Sequence, residues 1–185
     1  MQDDLRERVE IALAQAMKGN MIPRLVSGDH IETARVVAIK AGFLTEDEAK
    51  MKYAVMHADE FRKQVGGMRK ELDQAGNVKY TIQKKQEFLQ IANRLRVLAR
   101  ATPYDKHLLV VGLKELNRAV AVTGEGINDI DALRSADVGF SMGTGCSVAK
   151  EVSDMILITN DFEALTRSVM WGRNVYENVR RFLQF

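Results

Sequence analysis

Short apolar runs alternate along this chain with stretches whose apolar residues recur at helical spacing. Over residues 3–18, Leu5, Val9, Ala12, Leu13 and Ala16 share one helical face. Gly19-Asn20 stops that helix. IPRLVSG, residues 22–28, reads as a short strand ending in Ser-Gly. Asp29 follows, with Glu32 three residues on, as in a capping box. A second helix then runs over about 30–40 and closes at Gly42. Regular alternation resumes with LRVLAR, a strand over 95–100. TPYDKHLLVVGLKEL is a helix, with Thr102 as N-cap and Pro103 in the first helical position. AVAVTG, VGFSMG and MILIT read as strands, and NDIDALRSA and VAKEVSD as the helices between them. Residues 161–185 carry one long helical pattern without a stop signal, ending on Phe185, which implies a piece of a longer protein.

The alternation of strands and helices predicts an α/β domain with a parallel sheet covered on both faces. Residues 45–93 stand apart. They are rich in Lys, Glu and Gln and contain Gly66-Gly67. YAVMH, residues 53–57, is the only strand signal there. The segment reads as an insertion of short helices with a flexible stretch near VGGMRKELDQAGN.

Composition narrows the class. The 185 residues suffice for one domain with a real core. Formal charge is +2, from 27 basic and 25 acidic side chains, which gives no reason to expect nucleic acid. Cys146 is the only cysteine, so no internal disulfide forms, and a reducing compartment is the simplest setting. No run approaches 18 apolar residues. The start, MQDDLRERVE, is charged and unlike a secretory signal.

In an open parallel sheet, ligands sit beyond the carboxyl ends of the strands. Three such ends are polar here: Ser27-Gly28-Asp29, Thr123-Gly124-Glu125, and the turn from Arg100 to Lys106. Ser27 offers a hydroxyl to a phosphoryl oxygen. The amides around Gly28 lie at a helix N-terminus, which favours anions. Lys106 adds a positive charge, and Glu125 and Asp129 add hard oxygen ligands suited to Mg²⁺. Gly124 and Gly126 let the backbone approach a bound group. Asn128 either bonds a phosphoryl group or caps the next helix. Each residue alone has an ordinary explanation as a cap, a first-turn carboxylate or a solvated lysine. Their joint spacing outweighs those explanations.

VTGEGINDIDAL, residues 122–133, resembles the TGDGxNDxxAL hinge motif of P-type ion-pumping ATPases. VSGDHIETARVVAIKAG is similar to their TGDNxxTAxxIAxxxG segment, and LARATPYDKHLLV to ARxxPxxKxxLV. ADVGFSMG, VAKEVSDMIL and VMWGRNVYENVRRFLQF follow in the family's order, and the last resembles the plasma-membrane-type calcium pumps. The resemblance implies a haloacid-dehalogenase-like Rossmannoid fold. It implies part of a phosphorylation domain, with residues 161–185 as a stalk-like helix. It implies that Ser27, Gly28, Lys106 and Asn128 contact the phosphoryl group and that Glu125 and Asp129 hold Mg²⁺. It implies too that Asp29 and Arg100 reach ATP. It further implies a cytosolic domain of an integral membrane protein. Nucleotide-binding, actuator and transmembrane domains would lie elsewhere in the parent chain, with calcium as the transported ion.

Three departures accompany the resemblance. No DKTGT, the family's phosphorylated sequence, occurs in these residues, so the piece is expected to be inactive by itself. Glu125 stands where the family has Asp, which predicts weaker or displaced Mg²⁺. Ser27 replaces Thr and keeps the hydroxyl, and the Gly143-Thr144-Gly145 loop is one residue short. Two other readings compete. A soluble phosphatase of the same fold should carry a DxD nucleophile motif at a strand end, and none is visible. A non-enzymatic module binding nucleotide or a partner through residues 45–93 would not need Lys106 with the Glu125–Asp129 pair.

Overall fold

A computed structural model describes residues 5–72, 78–159 and 161–185. The first half runs α1 (Val9–Lys18), β1 (Leu25–Val26), α2 (Ile31–Lys40), α3 (Glu46–Ala49), β2 (Val55–His57), α4 (Ala58–Val65), β3 (Met68–Leu72), β4 (Val78–Ile82) and α5 (Lys85–Arg94). The second half runs β5 (Val97–Ala99), α6 (Pro103–Glu115), β6 (Ala121–Gly124), a 3-10 turn at Ile127–Asp129, α7 (Ile130–Ser135), β7 (Val138–Met142), α8 (Ser147–Val152), β8 (Met155–Leu157) and α9 (Glu163–Gln184).

Two three-stranded parallel sheets result, ordered β1-β5-β2 and β6-β7-β8. Alternation along β5 shows why its sequence is wholly apolar. Leu98 faces a core with Phe61, Phe88 and Leu108, while Val97 and Ala99 face another with Leu13, Ala34 and Ala38. Both faces are therefore covered by helices. Val26 of β1 and Val122 of β6 pack against the same core, so the two sheets share one interior.

Several boundaries differ from the expectations. The helix expected over 3–18 begins at Val9, because Arg8 sits in the left-handed region at φ 62°; residues 3 and 4 lie outside the described residues. The strand expected over 22–28 pairs only at Leu25 and Val26, since Pro23 has no amide and residues 27–29 turn towards 100–101. The capping box expected at Asp29 is absent. His30 is the N-cap and its Nδ1 accepts from the Glu32 amide at 3.4 Å, because the Asp29 carboxylate is engaged by Ser27. The stretch expected to be flexible near Gly66-Gly67 forms an antiparallel hairpin, β3 with β4. Its turn lies outside the described residues. Within segment 45–93, β2 extends the first sheet, and Phe61, Val65, Phe88 and Ile91 sit in the principal core.

The helix α6 starts as its sequence predicts. Thr102 Oγ1 accepts from the Asp105 amide, and the Asp105 carboxylate accepts from the Thr102 amide at 2.8 Å. Asp105 is fully buried and meets Arg62 of α4 at 2.6 Å. The last helix, α9, has 22 residues and is largely exposed, Trp171, Tyr176 and Phe182 included. It is fastened to α1 by Arg173, which donates to the Gly19 carbonyl at 2.8 Å, and to the preceding segment by the Arg8–Glu163 pair. Among the described residues, no helix is long and apolar enough to cross a membrane.

Candidate functional site

Ser27 follows β1 directly. Its amide donates to the Leu98 carbonyl at 3.0 Å, and its carbonyl accepts from Ala101 at 2.9 Å. The Asp29 carbonyl accepts from the Arg100 amide at 3.0 Å. Residues 27–29 are thus zipped to 100–101, two residues before α6 begins. Arg100 reaches that geometry with φ at +54°. The Ser27 hydroxyl donates to the Asp29 carboxylate at 2.7 Å and accepts from the Asp29 amide at 3.1 Å. Gly28 is exposed, and a Cβ there would come no closer than 3.9 Å to Ala101 O.

From this corner α6 carries Lys106 across to the second sheet. Its Nζ donates to Asp129 Oδ1 at 2.6 Å, with both side chains about four-fifths covered. The other Asp129 oxygen accepts from the amides of Glu125 and Gly126, at 3.2 Å each. The glycine at 124 permits this. A Cβ there would lie 2.5 Å from Asp129 Cβ. Glu125 is exposed, and its Oε1 meets Arg6 at 2.6 Å. Its carbonyl accepts from the Cys146 amide at 2.9 Å. Asn128 is exposed within the 3-10 turn; it does not cap α7, whose N-cap is Asp129.

The fold therefore gathers two groups at strand ends and joins them through α6: Ser27, Gly28, Asp29 and Arg100 on one side, Lys106, Asp129 and Glu125 on the other. Beside Lys106, burial holds the His107 imidazole below its ordinary value of 6.5, against an opposing pull from Asp131. Surface depressions of about 460 Å³ at the hairpin and 530 Å³ at the N-terminal segment are lined by none of these site residues.

Among the described residues, no group of three His, Cys, Asp or Glu gathers as a metal cage. A two-carboxylate set suits Mg²⁺ nonetheless, since that ion keeps several waters and takes one or two carboxylates together with substrate phosphate. Glu125 has one oxygen outside its pair with Arg6, and Asp129 lies four residues away on a turn fixed by two amides. Arg6 was not foreseen as a neighbour of this site. It lies 119 residues from Glu125, and nothing in its local pattern marks it.

No protein-family profile matches the chain. Over its whole length, however, it is 41% identical to calcium-transporting ATPase 2 of Saccharomyces cerevisiae, across 186 aligned residues. It is 40% identical to plasma membrane calcium-transporting ATPase 4 of Homo sapiens, across 191. The chain belongs to the P-type ATPases. It spans 14% of the length of each of those relatives. Solved P-type ATPases show the same fold. A zinc-transporting PIB-type ATPase in its E2.Pi state matches 97% of this chain and 21% of its own, with a TM-score of 0.66 at 22% identity. The catalytic domain of the CPx-ATPase CopB-B matches 89% and 45%, with a TM-score of 0.57 at 20% identity. This P-type ATPase chain has the α/β, haloacid-dehalogenase-like architecture: parallel sheets flanked by helices and a long C-terminal helix.

Proposed function

We propose that the chain is the phosphate- and magnesium-holding part of the phosphorylation domain of an ATP-driven calcium pump. The parent protein would form an aspartyl-phosphate on a DKTGT aspartate outside these residues. Nucleotide-binding, actuator and transmembrane domains would complete it, and this portion would be cytosolic. Segment 45–93 would be an insertion in that domain, and α9 the stalk leading towards the membrane helices.

The observation that carries this reading is the Lys106–Asp129 contact of 2.6 Å, which ties the strand-end loops of both sheets to one helix. Lys106 has three donors, so it can hold Asp129 and still donate to a phosphoryl oxygen. Ser27, released from Asp29, donates its hydroxyl to the same group. The Gly28 amide and Asn128 add neutral donors. Glu125 and Asp129 would hold Mg²⁺, which supplies charge neutralisation to the phosphates when bound. Asp29 and Arg100 would face the nucleotide. Calcium as the transported ion rests on the likeness to calcium-transporting ATPases.

The test uses the parent pump. Lys106→Ala and Asp129→Asn are each expected to cut phosphoenzyme formation from ATP by about 100-fold or more, the size of effect seen when one charge-stabilising donor is removed. Lys114→Ala, which alters an exposed pair with Asp137, should leave it unchanged. Full phosphoenzyme in both site variants would overturn the reading.

A further inference from the structure

At the opposite end of the strands, three arginines from three chain segments meet the C-terminal end of α5. Arg24, just before β1, donates from Nη2 to the Ala92 carbonyl at 2.8 Å. Arg118, in the loop between α6 and β6, donates from Nη2 to the Asn93 side-chain oxygen. Arg96, just before β5, donates from Nη1 to the Leu95 carbonyl at 3.2 Å. Arg94 adds a fourth positive charge in the last turn of the helix.

Helix capping explains part of this arrangement. The last carbonyls of a helix carry about half a negative charge and attract a cation. One guanidinium satisfies that demand, and three exceed it. Among the described residues, none of Arg24, Arg96 and Arg118 forms an ion pair with a carboxylate, although thirteen pairs of Lys or Arg with a carboxylate occur elsewhere. Arg96 also acts on the Glu48 carboxylate, but that carboxylate is held chiefly by the amide and hydroxyl of Thr45. The Nε of Arg24 is buried and has no hydrogen-bond partner. Burial, then the charges of Arg96 and Arg118, bring the Arg24 guanidinium down to about 10. Such crowding is costly unless a negative group sits among the three side chains.

We propose that Arg24, Arg96 and Arg118 form a binding site for an oxyanion, a carboxylate or a phosphate. Guanidinium groups present planar pairs of donors that match two oxygens at once, which selects this class of ligand over a halide. The site lies beside the C-terminal end of α5, and the candidate phosphoryl pocket lies at the other end of the strands. It holds irrespective of the function proposed above. A free phosphate and a carboxylate on another segment of the parent protein share the required chemistry.

The ¹⁵N-labelled chain distinguishes these sources. It is titrated with inorganic phosphate and, separately, with a tri-aspartate peptide, each against chloride at matched ionic strength. Saturable shifts at the amides of Ala92, Asn93 and Leu95 and at Arg24 Nε–H are expected with at least one probe. Saturation by phosphate alone identifies a free anion, and by the peptide a carboxylate-bearing segment. Arg118→Gln should weaken that binding by about tenfold or more, the loss of one charged hydrogen bond, and Arg96→Gln should do the same. Shifts at Ser27 and Gly28 report the other pocket; Lys106→Gln should reduce those and leave the arginine signals in place. Absence of saturable shifts with either probe overturns the proposal. So does an affinity unchanged in both arginine variants.

Discussion

Asp129 accepts from Lys106 with one oxygen and from two amides with the other, so its position is set by everything around it. Gly124 is the most sensitive of those surroundings. In Gly124→Ala the new methyl would fall 2.5 Å from Asp129 Cβ, and the carboxylate must leave Lys106. Loss of phosphoenzyme in a folded parent pump, checked by circular dichroism, is the expected result. Arg6 calls for a smaller number. Its pair with Glu125 is nearly half exposed, and such pairs contribute about 0.2–1 kcal/mol. Arg6→Ala should therefore tighten Mg²⁺ binding only about threefold, read by calorimetry. Sequence alone exposed Ser27, Lys106, Glu125 and Asp129 because strand ends and glycines mark them. It did not expose Arg6, whose partner is set by the fold and not by spacing, nor the Ser27–Asp29 bond that displaces the expected cap.

Among the elements, α6 connects most of the structure. Its start was readable because Thr102, Pro103 and Asp105 each have a fixed local job. Arg62 as the partner of buried Asp105 was not readable, since it comes from another helix. Asp105→Ala removes the cap and one of the two carboxylates that Arg62 meets, Asp59 being the other. A loss of about 2 kcal/mol in denaturant unfolding is expected, from the cap and one charged hydrogen bond. Further along, a methyl at Gly112 would meet Phe88 of α5 at 2.2 Å, so Gly112→Ala should cost about 1–3 kcal/mol by overpacking. His107 makes an edge contact with Tyr80 of β4, at 5.2 Å between ring centres. Its imidazole is lowered in the folded state, so the unfolded chain binds the extra proton first. The contribution is present above 6.5 and is lost as pH falls through the lower folded value. His107→Gln should flatten that part of the stability–pH curve. The hairpin itself escaped the sequence reading because Lys70, Glu71 and Lys79 leave both faces polar, and no period of two survives.

At the scale of the molecule, the parallel sheets were legible from buried strands such as VLA at 97–99, where every residue is apolar and covered. Their division into two groups of three was not, since a run of apolar letters does not state its neighbours. The described chain offers no DKTGT aspartate, so purified chain should release no phosphate from ATP above buffer, as a malachite-green assay would record. Turnover that follows the chain through purification would defeat that expectation. One further consequence comes from the fastening of α9 at one end only. Arg173 and Glu163 hold its first half to α1 and the segment before it, while its second half runs out exposed. A helix of 22 residues measures about 33 Å. Anchored so, it is a lever: a tilt of a few degrees where α1 grips it sweeps the far tip through several times the displacement at the root.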